Sequence, residues 1–206
     1  QQSNGGTNMT PRDAYKGLPT KNLIGIPWRV AFALQADGWY LRSDIIWAKP
    51  NPMPESVTDR PTKSHEYLFL LSKQERYYYD SDAIAEPCEW NGTSGMKNYR
   101  ADESDGRIDA GMNSGGAKDT RNKRTVWTVA TSPYAEAHFA TFPPKLIEPC
   151  ILAGCPSGGL VLDPFAGSGT TIQVAQQLGR QGVGIELNPA YIALADTRTA
   201  QTGLAL

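Results

Sequence analysis

A glycine-rich turn is the strongest chemical signal in this sequence. Residues 163–170 read Asp-Pro-Phe-Ala-Gly-Ser-Gly-Thr, after a short apolar run and before a stretch with helical patterning. Glycine lets the backbone approach a ligand closely, and a helix N-terminus offers N–H groups that lack partners within the helix. A lone Gly-x-Gly is as often a tight turn as a ligand site, so its neighbours must decide.

An acid after the next predicted strand favours the ligand interpretation. Glu186 follows residues 183–185, and in doubly wound folds an acid at this place accepts hydrogen bonds from ribose hydroxyls. A phosphate-binding P-loop would need Gly-Lys-Ser/Thr, which is absent, and a dinucleotide fingerprint would need a third glycine where Ile172 stands. S-adenosylmethionine carries no phosphate and needs an acid near its amino or sulfonium end, which Asp163 could supply.

Composition narrows the class of protein. The chain has 206 residues and a formal net charge of −1, so any attraction to nucleic acid must come from a local basic face. Its three cysteines show no Cys-x-x-Cys spacing, which predicts a reducing compartment with neither a disulfide framework nor a metal site. No apolar run reaches membrane-spanning length.

Alternating strands and helices must position these residues. The pattern predicts a helix over residues 26–36 and strands over 39–49 and 65–71 that could pair antiparallel. A short strand is predicted at residues 127–129, and a helix from Pro143 to about Gly154. Strand, helix, strand and helix then follow at residues 160–162, 170–178, 183–185 and 189–199. Elements at this spacing predict an α/β fold with a parallel sheet and right-handed crossovers.

Three C-terminal segments resemble motifs of the amino-group DNA methyltransferases. Residues 138–143 (His-Phe-Ala-Thr-Phe-Pro) resemble motif X, residues 163–170 motif I, and residues 184–188 (Gly-Ile-Glu-Leu-Asn) motif II. Motifs X, I and II in this order at the C-terminal end are typical of the β subgroup. The cofactor residues that the resemblance implies are Phe139, Thr141, Phe142, Asp163, Pro164, Phe165, Gly167, Ser168, Gly169, Thr170, Glu186 and Asn188.

The resemblance also implies a fold. It is the Rossmann-like fold of S-adenosylmethionine-dependent methyltransferases, with a mostly parallel sheet, an antiparallel hairpin and an inserted irregular recognition region. We expect one methyltransferase domain over residues 1–206, incomplete at its N-terminus, with a cofactor-binding half at 138–206.

The first half of the chain resembles the same family at residues 44–51, in the strand and turn that border the target-base pocket. Trp47, Lys49 and Asn51 are therefore candidates for that pocket. Trp47 has an equal claim to be a core aromatic. Lys49 can be a solvated charge, although a lysine at a strand end can also reach a phosphate or a base.

The inserted region 90–126 occupies the place of this subgroup's target-recognition region. It is dense in small polar and charged residues and cannot build a core of its own, so it is either functional or a solvated loop. The two interpretations are compatible, because such segments can become ordered on DNA. The candidates for phosphate contact are Lys118, Arg121, Lys123 and Arg124.

The family's catalytic signature, Asp-Pro-Pro-Tyr or Ser-Pro-Pro-Tyr, is not found. Residues 131–134 (Thr-Ser-Pro-Tyr) lack one proline and lie directly before motif X, so we interpret them as a loop. In the β order the signature precedes everything seen here. The catalytic residues are therefore unknown, and we expect them upstream of Gln1.

The resulting hypothesis is a site-specific DNA methyltransferase. It would move a methyl group from S-adenosylmethionine to the exocyclic amine of adenine or cytosine in double-stranded DNA, with flipping of the base. A restriction endonuclease is a candidate partner, and the prokaryotic or phage-infected cytoplasm the expected location. Two alternatives stay open: a methyltransferase of RNA, protein or a small molecule, and a noncatalytic DNA-binding remnant. The choice between adenine and cytosine, the recognition sequence and the oligomeric state are also open.

Overall fold

The computed structural model describes residues 18–88, 119–131 and 142–202. In chain order, their elements are α1 Ile26–Ala36, β1 Tyr40–Ala48, β2 His65–Ser72, β3 Glu86–Pro87, β4 Thr120–Arg121, β5 Val126–Thr128, α2 Pro144–Gly154, β6 Leu160–Asp163, α3 Thr170–Gln177, β7 Gln181–Gly184 and α4 Pro189–Thr202. They divide into two compact units. One takes residues 18–44 and 69–75, and the other takes residues 45–68 and the described residues from 76 onward.

The first unit contains α1, which confirms the helix predicted at residues 26–36. Gly25 caps its start with a positive φ of 68°, and a proline stands in its first turn. The helix ends at Asp37, whose N–H donates to Ala33 O at 3.0 Å. In the same unit the rings of Trp28 and Phe69 meet edge-on with centroids 4.9 Å apart. Aromatic packing of this kind contributes beyond the buried area alone.

A three-stranded sheet has the order β2-β1-β5, and the strands predicted over β1, β2 and β5 are confirmed. β1 and β5 run parallel, with Trp47 opposite Trp127. The N–H of Lys49 donates to Ser64 O at 2.8 Å. The end of β1 therefore meets the start of β2, as in the predicted antiparallel hairpin.

The C-terminal elements form the second parallel pair. Asp163 at the end of β6 lies opposite Gly184 of β7. α2 and α3 bury a core of Ile151, Cys155, Val174 and Ala175, against which Val161 of β6 packs. The predicted β-α-β-α order is confirmed, although β7 begins at Gln181, two residues before the predicted strand.

The short antiparallel pair of β3 and β4 was not predicted. Glu86 lies opposite Arg121, and the N–H of Cys88 donates to Asp119 O at 2.9 Å. The pair holds the two ends of segment 89–118 side by side. That segment is most of the predicted insertion 90–126, and it lies outside the described residues. Within the described ranges, no helix is long and apolar enough to cross a bilayer.

Candidate functional site

The tip of β6 carries the first predicted cofactor acid, Asp163. One carboxylate oxygen accepts the N–H of Phe165 at 3.0 Å, and the other accepts the Thr171 hydroxyl at 2.6 Å. The carboxylate thus connects the start of the glycine turn to the first turn of α3. Thr171 is a part of the site that the sequence analysis missed, although it directly follows the quoted motif.

The turn itself depends on two glycines. Gly167 and Gly169 have φ values of 53° and 79°, a region that residues with a Cβ rarely adopt. A Cβ at Gly169 would also lie 2.9 Å from the Cβ of Ala195 in α4. At Gly167 the nearest atom would be Phe165 O at 4.0 Å, so the space above that residue is open. Gly169 thus permits helix packing, while Gly167 leaves room for a ligand.

Glu186 follows β7 and faces the same turn. Its two carboxylate oxygens accept the N–H of Asn188 at 2.8 Å and the N–H of Gly167 at 2.9 Å. These backbone bonds, that of Asn188 first, hold the pKa of Glu186 below its ordinary value, because they stabilise the charged form. A carboxylate has about four lone-pair sites, so Glu186 can still accept hydrogen bonds from a ligand.

The last residue of the motif II segment, Asn188, has a local structural role. Its side-chain oxygen accepts the N–H of Ala190 at 3.0 Å, which caps the start of α4. Its backbone N–H binds Glu186. The predicted contact of Asn188 with the cofactor stays a prediction.

An open cleft of about 480 Å³ lies between α2 and β6. Its lining includes Phe142, Ile147, Cys150, Leu162, Asp163 and Thr171. Two predicted cofactor residues from distant motifs, Phe142 and Asp163, therefore share one cleft. The other predicted motif X residues, Phe139 and Thr141, lie outside the described residues.

The remaining residues of the turn differ in exposure. Pro164 is exposed, and so is Phe165, at 89%. Ser168 and Thr170 are buried.

Burial raises the pKa of the Cys150 thiol in the cleft to about 11, so the thiol is protonated at neutral pH. The site thus offers an apolar surface beside acidic acceptors.

The predicted base-pocket residues lie together at the end of β1. Trp47 is buried, and its indole N–H donates to Val129 O at 2.7 Å. It packs with Trp127 and Leu146 in a core cluster. This placement agrees with the core interpretation of Trp47, and its role in a base pocket stays a prediction.

Lys49 and Asn51 have partners of their own. The Lys49 ammonium forms an ion pair with Glu66 and lies 4.3 Å from the centroid of the Trp47 ring. Asn51 accepts the N–H of Thr131 at 3.0 Å and donates to Thr131 O at 3.4 Å. Asn51 therefore joins the turn after β1 to the chain after β5.

Of the predicted phosphate contacts, Arg121 and Arg124 share one carboxylate. Both donate through Nε to Oε1 of Glu86, Arg121 at 2.9 Å. Loss of hydration tends to raise the pKa of Glu86, but the hydrogen bonds from Arg124 and Arg121 outweigh it, so this pKa is lowered. Lys123 lies 5.2 Å from the centroid of the Trp127 ring, and Lys118 lies outside the described residues. Glu86 was missed because its partners are more than thirty residues away.

No metal centre is visible in the part of the chain that the structure describes. There, no three side chains of His, Cys, Asp or Glu come close enough together to hold an ion. The three cysteines are free thiols.

Solved structures with a similar fold are DNA methyltransferases. PvuII DNA methyltransferase (cytosine-N4-specific) superposes with a TM-score of 0.63 at 21% identity, covering 89% of this chain and 59% of that chain. The M1.HpyAVI–SAM complex gives a TM-score of 0.57 at 22% identity, covering 90% and 72%. The predicted α/β fold of S-adenosylmethionine-dependent methyltransferases is thereby confirmed.

Sequence relatives point the same way. The Type II methyltransferase M.Cfr9I of Citrobacter freundii is 57% identical over 186 residues, which are 90% of this chain and 53% of the relative. M.SmaI of Serratia marcescens, also a Type II methyltransferase, is 53% identical over 89% of this chain and 54% of its own length. The chain thus spans about half the length of these curated relatives. A family model described as DNA methylase matches residues 3–197, and the chain therefore belongs to the DNA methylase family.

Proposed function

We propose that this chain carries the cofactor-binding and target-recognition parts of a site-specific DNA methyltransferase. The enzyme transfers a methyl group from S-adenosylmethionine to the exocyclic amine of cytosine or adenine. One observation carries the proposal: Asp163 ends β6, Glu186 follows the adjacent parallel strand β7, and both bind the backbone of one glycine turn. The relatives' designation as Type II methyltransferases supports it.

The donor set fits S-adenosylmethionine. Glu186 is an acceptor with free lone pairs, which suits the two hydroxyls of a ribose. Asp163 lies at the cleft and suits the positively charged amino end. The exposed ring of Phe165 offers an apolar surface for the adenine, and the open space above Gly167 admits the ligand. When bound, the cofactor supplies a methyl group on an electrophilic sulfonium.

The packing of Ile172 disfavours a dinucleotide. In the dinucleotide fold a third glycine on the helix allows close contact with the strand. Here Ile172 occupies that place, and the glycines of β7 leave the space that its side chain fills. A Cβ at Gly182 would lie 2.7 Å from the Ile172 side chain, and one at Gly184 would lie 2.8 Å from it. This arrangement supports the cofactor that the sequence favoured.

Methylation of the target amine requires residues other than the described ones. An exocyclic amine is a poor nucleophile because its lone pair is delocalised into the ring, so hydrogen-bond acceptors must bind the amine. The base must also leave the duplex to reach the cofactor. No described residue is assigned these tasks. We infer that a motif of the Pro-Pro-Tyr type, which the resemblance to the family implies, performs them.

We further propose that region 90–126 reads the target sequence on the DNA. The pairing of β3 with β4 supports this, because it brings the described residues on either side of segment 89–118 together beside the basic residues Arg121 and Arg124. Lys118, Arg121, Lys123 and Arg124 remain the proposed phosphate contacts. A restriction endonuclease with the same recognition sequence, in a bacterial cytoplasm, would be the partner; the Type II designation of the relatives supports this part.

A panel of methyl acceptors tests the proposal. The complete polypeptide that contains this chain is incubated with tritiated S-adenosylmethionine and, separately, with unmethylated DNA, RNA and total protein. We expect incorporation into DNA alone. Incorporation into RNA or protein would favour a methyltransferase of another substrate class. DNA binding without any incorporation would favour a noncatalytic module.

A further inference from the structure

Helix α4 contacts the glycine turn through the side chain of one arginine, Arg198. Nη1 of Arg198 donates to Ser168 O at 3.0 Å, to Ser168 Oγ at 2.9 Å and to Thr170 Oγ1 at 3.2 Å. Nη2 donates to Gln173 Oε1 at 2.8 Å. One guanidinium thus binds the turn on both sides of Gly169 and also the first part of α3.

A second contact of the same helix supports this arrangement. Ala195 precedes Arg198 by three residues, so both lie on one face of α4. A Cβ at Gly169 would lie 2.9 Å from the Cβ of Ala195 and 3.1 Å from its Cα. The backbone of the turn therefore packs directly on α4, and Arg198 binds the residues on either side of that contact.

The turn and α4 are connected at the other end as well. Glu186 accepts the N–H of Gly167 with one oxygen and the N–H of Asn188 with the other. The side chain of Asn188 then caps α4. Gly167 is thus bound by Glu186, which directly precedes α4, and Ser168 is bound by Arg198 within α4, so this helix and the residues before it contact both sides of the turn.

Electrostatics indicates that Arg198 does more than stabilise a helix. A cation near the first turn of α3 opposes the dipole of that helix. The favourable contribution must come from the acceptors, of which Ser168 and Thr170 are buried. A planar guanidinium can serve several acceptors at fixed angles, whereas a lysine ammonium cannot reproduce that geometry.

We propose that Arg198 is a positioning residue for cofactor binding: it holds the turn at residues 167–170 in the conformation that admits S-adenosylmethionine. The inference rests on the proposed function for the identity of the ligand. Arg198 acts through Ser168 and Thr170 and does not itself contact the cofactor. Its removal should loosen the turn and weaken binding while leaving the rest of the unit folded.

Arg180 provides a matched control in the same unit. Its Nε and Nη2 donate to Cys155 O at 3.2 and 3.1 Å, and its Nη1 donates to Leu178 O. It is also a half-buried arginine, with two carbonyl acceptors. However, it joins the C-terminal ends of α2 and α3, before β7, and has no contact with the turn among these bonds. Arg180→Met therefore measures the general cost of losing such a network.

The experiment compares Arg198→Met, Arg198→Lys and Arg180→Met in the complete polypeptide. S-adenosylmethionine affinity is measured by calorimetry, and thermal stability is measured alongside. We expect Arg198→Met to weaken affinity by about tenfold or more, the effect of about one strong hydrogen bond. Arg198→Lys should recover part of the loss, and Arg180→Met should leave affinity unchanged within about twofold at a comparable loss of stability. Equal weakening by both methionine variants, or none by Arg198→Met, would overturn the proposal.

A second readout separates this proposal from the proposed function. Hydrogen exchange of the amides at residues 166–170 is measured without cofactor, and Arg198→Met alone should accelerate it. If the wild-type protein binds no S-adenosylmethionine, the proposed function fails, and the positioning role in cofactor binding fails with it. If the wild type binds but exchange in Arg198→Met is unchanged, the proposed function stands and the positioning role is refuted.

Discussion

Two carboxylates near the tips of β6 and β7 bind opposite parts of one turn. Asp163 holds Phe165 and Thr171, whereas Glu186 holds Gly167. Each acid is thus both a structural acceptor and a proposed cofactor ligand. Isosteric amide variants keep most of the shape and remove the charge, so they can separate the two roles.

We predict that Asp163→Asn and Glu186→Gln each weaken S-adenosylmethionine binding by about tenfold or more, because each removes a charged acceptor. Calorimetric titration measures the effect. Asp196→Asn, which changes an exposed carboxylate of α4, should leave affinity unchanged. If both site variants bind as tightly as the control, Asp163 and Glu186 are not cofactor ligands.

The lowered pKa of Glu186 predicts a pH dependence of stability. A carboxyl whose folded-state pKa lies below its ordinary value of 4.5 stabilises the fold above that pH. This contribution is lost as pH falls through the lowered folded-state pKa. The stability gap between wild type and Glu186→Gln, measured by urea unfolding from about pH 7 to about pH 3, should therefore close below about pH 4.5. A gap independent of pH would mean that the charge of Glu186 contributes nothing.

Among single residues of the site, the two acids were predictable from the sequence, but the side chains that hold the same turn were not. Asp163 and Glu186 stand out because they follow apolar strands and accompany glycines. Thr171 and Arg198 have no such signal, since a threonine and an arginine in helices are common. Their roles arise only when α3 and α4 pack around the turn. Trp47 was open between two interpretations, and burial with a bonded indole supports the packing one.

Among the elements, β7 and α3 are in unusually close contact. The glycines of β7 accommodate Ile172, as the short distances to a hypothetical Cβ at Gly182 and Gly184 indicate. The strand was predicted too short at its start. Its first residues, Gln181 and Gly182, carry little β propensity, and the ladder with β6 determines their conformation.

Gly182→Ala should therefore destabilise the protein by about 1–3 kcal/mol, the usual cost of overpacking. Ile172→Ala in the same background should restore part of the loss, because it removes Cγ2, the atom 2.7 Å from the new methyl, but keeps Cα at 2.9 Å. Denaturant unfolding of the four proteins of this cycle measures the coupling. Gly154→Ala is the control, since a Cβ there meets nothing within 4 Å. Additive effects at positions 172 and 182 would contradict the close contact.

The β3–β4 pair links the proposed recognition region to the basic residues at its base. We predict that Arg121→Ala with Arg124→Ala weakens DNA binding and reduces the salt dependence, by about 0.9 in the logarithmic slope for each phosphate that the variant no longer neutralises. Fluorescence titrations at several salt concentrations measure the slope. Arg76→Ala, an exposed arginine outside the pair, should leave it unchanged.

Substitution of Glu86 should have the opposite effect on DNA binding. Because this carboxylate pairs with both arginines, Glu86→Gln should free their charge and strengthen nonspecific DNA binding. An unchanged slope in the double arginine variant, together with unchanged affinity in Glu86→Gln, would show that these arginines serve only to join β3 to β4 through Glu86. The β3–β4 pairing was not predictable from the sequence, because two-residue strands leave no periodic pattern.

For the whole molecule, motif order carried more information than composition. The net charge of −1 gave no indication of nucleic acid. The late position of the glycine turn and its neighbouring motifs predicted the family, which the relatives confirmed. The division of the described residues into two units was not predictable, since the boundary passes through β1 and β2. A single domain over residues 1–206 stays a prediction, as do the insertion at 90–126 and the cofactor half at 138–206.

Identification of the methylated nucleoside tests the central claim most directly. The complete polypeptide that contains this chain methylates unmodified double-stranded DNA, which is then digested to nucleosides and separated by mass spectrometry. The claim predicts N4-methylcytosine or N6-methyladenine, and loss of that product in Glu186→Gln at low cofactor concentration. Methylation at a ring carbon, or a wild-type enzyme that leaves every nucleoside of the DNA unmodified, would contradict it.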